Sequence, residues 1–311
     1  MSTYIYRRAA STGATQLAEA GGFNRYRAIN LPMERKVRNG DAVVCWGETF
    51  QGPVDGVRVL NGARIQDKLA DALALKARGV PTIVVETAKP QPAPPIPAGP
   101  DPAFAAWEKA SEIAESFVNM DAANPVSRGP VMRAAVADLY KSVYTLHEAL
   151  GRPAPVATPG VDVGVWLGRM RNHVGGNDLF TPPVTPDFYV KKENIVREFR
   201  VHSFCGKSIR AGVKEAAEGA GINLHPWIRS YDGGWRIKYD GVTVTQRHRD
   251  IAHAAVKALG LDFGAVDIAE LADGRLIVLE CNRAPGLDGG TITKYAEAIQ
   301  RWLNGETGQE V

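Results

Sequence analysis

The chain has 311 residues, of which 45% are hydrophobic and 23% are charged, a composition typical of a soluble globular protein with two or three modest cores. Its formal net charge of +3 is too small to indicate a nucleic-acid-binding protein, because such proteins concentrate lysine and arginine on one face. No apolar run is long enough to span a membrane, and the N-terminal residues lack the apolar core of a signal peptide.

The cysteines predict the compartment. Cys45, Cys205 and Cys281 are odd in number and lack the C-x-x-C spacing of metal and redox sites. Disulfides are rare in a reducing cytoplasm, whereas secreted domains of this kind usually pair their cysteines. We therefore expect a cytoplasmic protein.

The first 87 residues predict an α/β domain. Short apolar runs predict three strands, and helical spacing of apolar residues predicts two helices, one after the first strand and one after the third. The strands are expected at 4–6, 42–46 and 57–60, and the helices near 14–20 and 66–78. Because strands alternate with helices, we expect a parallel sheet of Rossmann-like type.

Residues 88–156 predict an insertion between two domains. It begins with a proline-rich linker at 88–102, since repeated prolines favour extended geometry. A later helix carries an apolar stripe that must be buried. The stripe consists of Val136, Leu139, Val143, Leu146 and Leu150. Packing on a neighbouring domain, a homodimer contact and a partner-binding lid all remain open for it.

Residues 157–305 are expected to form a second domain with two α+β subdomains, followed by a short tail at 306–311. Strands and helices alternate again along this region. We expect strands at 161–169, 188–191, 198–204 and 207–214, a helix at 251–259, a hairpin, and a closing helix at 293–302.

The predicted hairpin carries three oxygen-bearing side chains. Asp267 lies in its first strand, Asp273 and Gly274 form the turn, and Glu280 and Asn282 share one face of the second strand. If the pairing sets Asp267 opposite them, two carboxylates meet and need a cation, and Mg²⁺ suits hard oxygen ligands. A polar strand end without any metal explains the same spacing, so both interpretations stay open.

This hairpin also resembles a known family. A small-residue helix followed by GLDFGAVDI and IVLECNRAPGL is similar to the last third of the ATP-grasp superfamily, and the segment from Val57 to Thr82 resembles the entry to that fold. The resemblance is strongest to small ATP-grasp proteins related to the ribosomal-protein glutamate ligase, including versions carried by tailed phages. It implies an ATP-grasp fold with an N-terminal pre-ATP-grasp domain, in the host cytoplasm if a phage carries the chain.

The resemblance implies roles for individual residues. It assigns Mg²⁺ to Asp267, Glu280 and Asn282, with Mn²⁺ as a substitute, and assigns the phosphates to Arg200 and Lys214. The nucleotide contacts it implies are Lys68, Arg169, the glycine turn Gly175 and Gly176, the hinge residues Tyr189 and Val190, and Glu198 at the ribose. Family members usually have lysine where this chain has Arg169, which keeps the charge but changes its geometry. A surface ion pair is the alternative for Glu198 and Arg200, which share a strand face.

Two short motifs typical of protein kinases are rejected. His248, Arg249 and Asp250 spell HRD, and Asp262 to Gly264 spell DFG. The kinase catalytic loop requires an asparagine five residues after its aspartate, where this chain has Ala255, and no G-x-G-x-x-G loop precedes it.

The sequence thus predicts a magnesium- and ATP-dependent ligase. It would phosphorylate a carboxylate, join the acyl phosphate to an amine, and release ADP and phosphate. A small-molecule kinase and a non-catalytic nucleotide-binding module are the alternatives. The expected partners are small-molecule or peptide carboxylates and amines, with no membrane or nucleic acid. Candidates for binding a substrate carboxylate are Arg171, His173, Arg236 and Arg283, for which surface charge is the alternative.

Overall fold

The computed structural model describes two long parts of the chain. Its described residues are 1–7, 12–27, 33–50, 54–63, 67–88, 165–171, 185–219, 224 and 228–306. They belong to one compact unit formed by residues 1–90 and 165–311. The predicted linker, the apolar stripe from Val136 to Leu150, His173 and the Gly175–Gly176 turn lie outside the described residues. Among those residues, no helix is long and apolar enough to cross a membrane.

The N-terminal part forms the predicted parallel sheet. Its strands pair in the order β2-β1-β3-β4, with helix α1 following β1. The elements are β1 (Thr3–Arg7), α1 (Thr12–Gly21), β2 (Asn24–Arg27), a 3-10 turn (Met33–Arg35), β3 (Ala42–Trp46) and β4 (Arg58–Leu60). All five residues of β3 are buried, as expected for a central strand covered on both faces.

A helix and a small sheet follow. Helix α2 (Lys68–Ala77) begins after Asp67, whose carboxylate accepts a hydrogen bond from the Ala70 amide at 2.8 Å. The chain leaves the helix at Gly79, which has a positive φ of 71°. Strands β5 (Val85–Glu86), β6 (Trp166–Arg169) and β7 (Phe188–Lys191) then form an antiparallel sheet in the order β5-β7-β6.

The central sheet has five antiparallel strands in the order β10-β9-β8-β11-β12. The strands are β8 (Ile195–Phe204), β9 (Lys207–Ala216), β10 (Trp235–Lys238), β11 (Phe263–Leu271) and β12 (Leu276–Asn282). Helix α3 (Gln246–Ala258) packs on one face through a core that includes Val201, Val256 and Ile268. Because residues alternate along each strand, the opposite face carries Arg200 and Asp267 at its centre, with buried apolar residues such as Phe263 and Leu271 towards its ends.

Two helices begin earlier than the sequence predicted. Helix α3 begins at Gln246, so the rejected HRD motif lies inside a helix. Helix α4 (Gly289–Leu303) begins at two glycines, although glycine disfavours helices. The start is stabilised by the Asp288 side chain, which accepts a hydrogen bond from the Thr291 amide at 2.8 Å. A favourable N-cap therefore offsets the weak helix preference of the first turn.

Asn61 joins the N-terminal sheet to the central sheet. It is buried, and its φ of 55° lies in the left-handed region. Its side-chain oxygen accepts hydrogen bonds from the amides of Asp262 and Phe263 at 2.8 and 3.0 Å, and its amide nitrogen donates to the Phe263 carbonyl at 2.8 Å. Phe263 in turn stacks on Trp46 with ring centroids 5.3 Å apart. The DFG motif thus lies at the start of β11, next to Asn61.

Asn61→Ala is expected to destabilise the protein by about 3 kcal/mol, because it leaves three backbone groups unsatisfied and because alanine tolerates positive φ less well than asparagine. Urea unfolding measures this difference. Asn304→Ala, at an exposed asparagine that ends α4, is the matched control. A loss for Asn61→Ala no greater than that of the control would contradict the role of Asn61.

Candidate active site

The polar face of the central sheet brings charged residues into register. Arg200 on β8 pairs with Asp267 on β11, and Asp267 pairs with Glu280 on β12. Asn282 lies opposite Ala265, two residues from Glu280 along the same face. The hairpin therefore sets the two predicted carboxylates side by side, which is the arrangement that a cation site requires.

The centre of this face is a buried ion pair. Arg200 donates from Nε and a terminal nitrogen to the two Asp267 oxygens at 2.6 and 2.7 Å, and Lys214 Nζ lies 3.4 Å from the second oxygen. The Asp267 side chain is 2% exposed. Burial opposes ionisation of Asp267, but Arg200 and Lys214 outweigh it and hold its pKa well below the usual range. Asp267 is therefore a carboxylate at any physiological pH.

Lys214 connects this pair to a second buried carboxylate. Its ammonium also donates to Glu198, which lies two residues before Arg200 on the same face of β8. Burial lowers the pKa of Lys214, but the charges of Asp267 and Glu198 raise it by more. The pKa is therefore raised overall, and the amine stays charged. Both predicted catalytic cations are thus charged and are held by carboxylates.

Glu280 lies at the edge of the cluster. Its oxygens accept hydrogen bonds from Lys68 Nζ at 2.7 Å and from the Asn282 amide at 2.9 Å. About a third of the Glu280 side chain is exposed. Burial and Asp267 raise the pKa of Glu280, but Lys68 and these hydrogen bonds lower it by more. A third cation, Lys68, therefore already neutralises the second predicted metal ligand.

The donor set fits a hard divalent cation. No group of three His, Cys, Asp or Glu residues that could hold a metal occurs in the described parts of the chain. A metal site at this position would consist of the carboxylates of Asp267 and Glu280 and the amide oxygen of Asn282. Because Mg²⁺ commonly takes one or two carboxylates and completes its shell with water and substrate phosphates, three protein oxygens are sufficient.

A cavity of about 90 Å³ opens beside the cluster, between α2, β7 and β12. Five predicted site residues lie on its wall, together with an apolar surface. The lining residues are Lys68, Asp71, Ala72, Leu75, Ile83, Arg169, Phe188, Val190, Leu279, Glu280, Cys281 and Asn282. Tyr189 does not line this cavity, because side chains alternate along β7 and place Phe188 and Val190 on the cavity face.

The structure adds an ion pair that the sequence analysis did not predict. Asp71 on α2 accepts a hydrogen bond from Arg283 at 2.8 Å, and burial raises the pKa of Asp71 to about 6 although Arg283 opposes this. Arg283 had been a candidate for binding a substrate carboxylate, but its side chain is only 9% exposed. The spacing of Lys68 and Asp71 on one helix face was the available signal.

The other candidate arginines have partners of their own. Arg171 forms an ion pair with Asp67 at 3.0 Å. Arg236 lies 3.5 Å from the ring centroid of Tyr231 and donates to backbone carbonyls. Neither residue lines the cavity beside the cluster.

His202 continues the polar face of β8 and was also not predicted. Its ring is fully buried and lies between two tyrosine hydroxyls, with Tyr295 Oη 3.2 Å from Nδ1 and Tyr239 Oη 3.0 Å from Nε2. Burial, assisted by Arg200, lowers the pKa of His202 to about 3. A period of two from Glu198 and Arg200 was the signal that could have found it.

Comparison with known proteins gives a short sequence match. No protein-family model matches the chain. A segment of 61 residues is 53% identical to the ribosomal protein bS6–L-glutamate ligase of Salmonella paratyphi B. This segment spans 20% of the chain and 20% of that ligase, so the match covers about a fifth of the relative's length.

Solved structures match over nearly the whole chain. The ATP-grasp ligase PsnB with a minimal precursor has a TM-score of 0.52 at 12% identity, covering 96% of this chain and 98% of that one. D-alanine–D-alanine ligase from Bacillus anthracis gives 0.51 at 13% identity, with 99% and 98% covered. D-cycloserine synthetase DcsG gives 0.50 at 16% identity, with 97% and 100% covered.

These similarities define the class of fold. The chain has the ATP-grasp fold, as the sequence predicted, and the proteins named above are ligases. Within that class, the sequence match is to a ribosomal protein–glutamate ligase, which agrees with the resemblance found in the sequence.

Acid should destabilise the protein through His202. Unfolded, this histidine titrates at its ordinary pKa near 6.5, whereas the folded protein resists protonation until about pH 3. Between these values only the unfolded state binds the proton, so stability falls as pH decreases. Relative to His202→Gln, the wild type should lose about 1 kcal/mol per pH unit below 6.5, measured by urea unfolding. A pH-independent difference would contradict the assignment.

Proposed function

We propose that the protein is a magnesium- and ATP-dependent carboxylate–amine ligase. The observation that supports this best is the row of Arg200, Asp267 and Glu280 across three neighbouring strands, next to a cavity lined by Lys68 and Arg169. An ATP-grasp fold supplies the context for this row. A structural ion pair alone would need neither the second carboxylate at Glu280 nor the adjoining cavity.

Asp267, Glu280 and Asn282 would hold the metal, with Mn²⁺ able to replace Mg²⁺. When bound, the metal would neutralise charge on the nucleotide phosphates. The requirement for Mg²⁺ is supported by the structure of PsnB with Mg and ADP, which matches this chain with a TM-score of 0.50. The described ligand set accounts for only part of an octahedral shell, which leaves positions for phosphate oxygens and water.

Arg200 and Lys214 would stabilise the transferred phosphoryl group. Both are paired with Asp267, so their positive charges are already positioned and largely dehydrated. A metal on Asp267 would compete for the same oxygens and release donors of both residues toward the phosphates. Lys68 and Arg169, on the cavity wall, would bind the nucleotide phosphates in the same way.

The remaining nucleotide contacts stay as proposed from the sequence. The backbone of Tyr189 and Val190 would bind the adenine edge, and Glu198 would bind the ribose. Gly175 and Gly176 would let backbone amides approach a phosphate closely. Since Glu198 is paired with Lys214 in the structure, nucleotide binding would have to separate these two side chains.

The proposed reaction has two steps. A carboxylate oxygen of the substrate attacks the γ-phosphorus, and the bond to ADP breaks. The amine nitrogen then attacks the acyl-phosphate carbonyl and loses a proton, and phosphate leaves with one oxygen of the original carboxylate. Water must be excluded during the first step, because it would hydrolyse the intermediate.

The proposed substrates are a small-molecule or peptide carboxylate and an amine. The relatives support both types by name, since one attaches glutamate to a ribosomal protein, PsnB binds a precursor, and another joins two D-alanines. We propose the cytoplasm as the compartment because Cys45, Cys205 and Cys281 form no disulfide.

Product analysis tests the reaction class. The protein is incubated with Mg²⁺, ATP, pooled carboxylic acids carrying ¹⁸O in the carboxylate, and hydroxylamine as a general amine. A ligase gives ADP, a hydroxamate, and phosphate that carries one ¹⁸O. Phosphate retained on an acceptor hydroxyl would support the small-molecule kinase instead, and AMP with pyrophosphate would exclude the acyl-phosphate route.

Glu280→Gln should lower turnover by roughly 100-fold or more, because it replaces a negatively charged ligand of the metal with a neutral amide, which binds a divalent cation far more weakly. Its melting temperature should stay within a few degrees of wild type, since Lys68 and Glu280 are each about one-third exposed. Glu215→Gln, at an exposed ion pair with Lys238, is the matched control. Full activity of Glu280→Gln would exclude Glu280 from the metal site.

A further inference from the structure

Helix α2 is attached to the end of β12 by two ion pairs of opposite polarity. Lys68 binds Glu280 at 2.7 Å, and Asp71 binds Arg283 at 2.8 Å. Lys68 and Asp71 are three residues apart and therefore lie on one face of the helix. Glu280 in β12 and Arg283 directly after it flank Asn282, so one predicted metal ligand of this strand forms the first attachment and the other lies between the two.

The two ion pairs differ in their exposure to solvent. The side chains of Lys68 and Glu280 are 34% and 32% exposed, whereas those of Asp71 and Arg283 are 17% and 9% exposed. Water screens the Lys68–Glu280 pair and lets its members exchange partners. Asp71 and Arg283 separate less readily, because an unpaired buried charge is costly. The Asp71–Arg283 pair is thus the more persistent attachment.

Metal and nucleotide binding would remove the weaker attachment. In the proposed function Glu280 binds Mg²⁺ and Lys68 binds a phosphate, so the metal would replace Lys68 as the cation on the Glu280 carboxylate. Repulsion from the metal would move Lys68 away from Glu280. Of the two attachments, only Asp71–Arg283 would then hold the end of β12 against α2.

We propose that Asp71 and Arg283 are positioning residues of the metal–nucleotide site. Their ion pair keeps Glu280 and Asn282 aligned beside the cavity after Lys68 has moved to the phosphates. Asp71 also cancels the Arg283 charge, which would otherwise lie one residue from Asn282 and oppose a bound cation. The proposal rests on the proposed function and adds two residues that neither contact the metal nor react.

Calorimetric titration of Mn²⁺ into the protein saturated with ADP tests the proposal. Asp71→Asn should raise the Kd for Mn²⁺ by roughly tenfold or more, as outer partners of metal ligands typically do. Circular dichroism at the titration temperature should show each variant folded, which separates the loss of Mn²⁺ affinity from general unfolding. Arg283→Lys keeps the charge and should restore most of the Mn²⁺ affinity relative to Arg283→Gln.

Asp273→Asn is the matched control, because it weakens an exposed aspartate–arginine pair at the opposite end of the same hairpin. If Asp71→Asn fails to fold, the double variant Asp71→Asn with Arg283→Gln, which leaves no unpaired charge, takes its place. Wild-type Mn²⁺ affinity in either variant would overturn the positioning role. Failure of the wild type itself to bind Mn²⁺ with ADP would instead overturn the proposed function and this inference with it.

Discussion

The buried pair of Arg200 and Asp267 is the constraint on which the site depends. Removing two such charges from water costs several kcal/mol per ion, and apolar side chains of similar volume often give equal stability. The pair is nevertheless bidentate and almost fully buried. It matches the register of β8 and β11, and that register also sets Glu280 beside Asp267. The Arg200–Asp267 pair therefore contributes mainly by fixing the positions of the charged side chains on this face of the central sheet, rather than by adding stability.

Much of the fold could be predicted because its signals are local. The parallel N-terminal sheet, α2 and the hairpin follow from apolar periodicity and turn residues. The early start of α4 was missed, since two glycines oppose a helix and only the Asp288 cap overrides them. The left-handed Asn61 joint depends on contacts with residues about 200 positions away, and single-sequence periodicity carries no information on such contacts.

Only part of the candidate site could be predicted from the sequence. The oxygen donors and Arg200 follow from side-chain alternation within strands, and the family resemblance supplied their roles. Pairing between cations and carboxylates could not be predicted, because it depends on which strands become neighbours. Asp71–Arg283 and the tyrosine-bound His202 are further examples, since each joins elements distant in sequence. Gly175 and Gly176 lie outside the described residues, so their roles remain predictions.

The central claim is that the charged face of the sheet binds a metal–nucleotide complex. Anomalous diffraction from crystals grown with Mn²⁺ and ADP tests it most directly. The account predicts a manganese peak shared by Asp267, Glu280 and Asn282, with ADP in the adjoining cavity and Lys68 no longer on Glu280. Ordered ADP without such a peak, with Arg200 and Lys68 still bound to their carboxylates, would show that the cluster is only a structural ion-pair network.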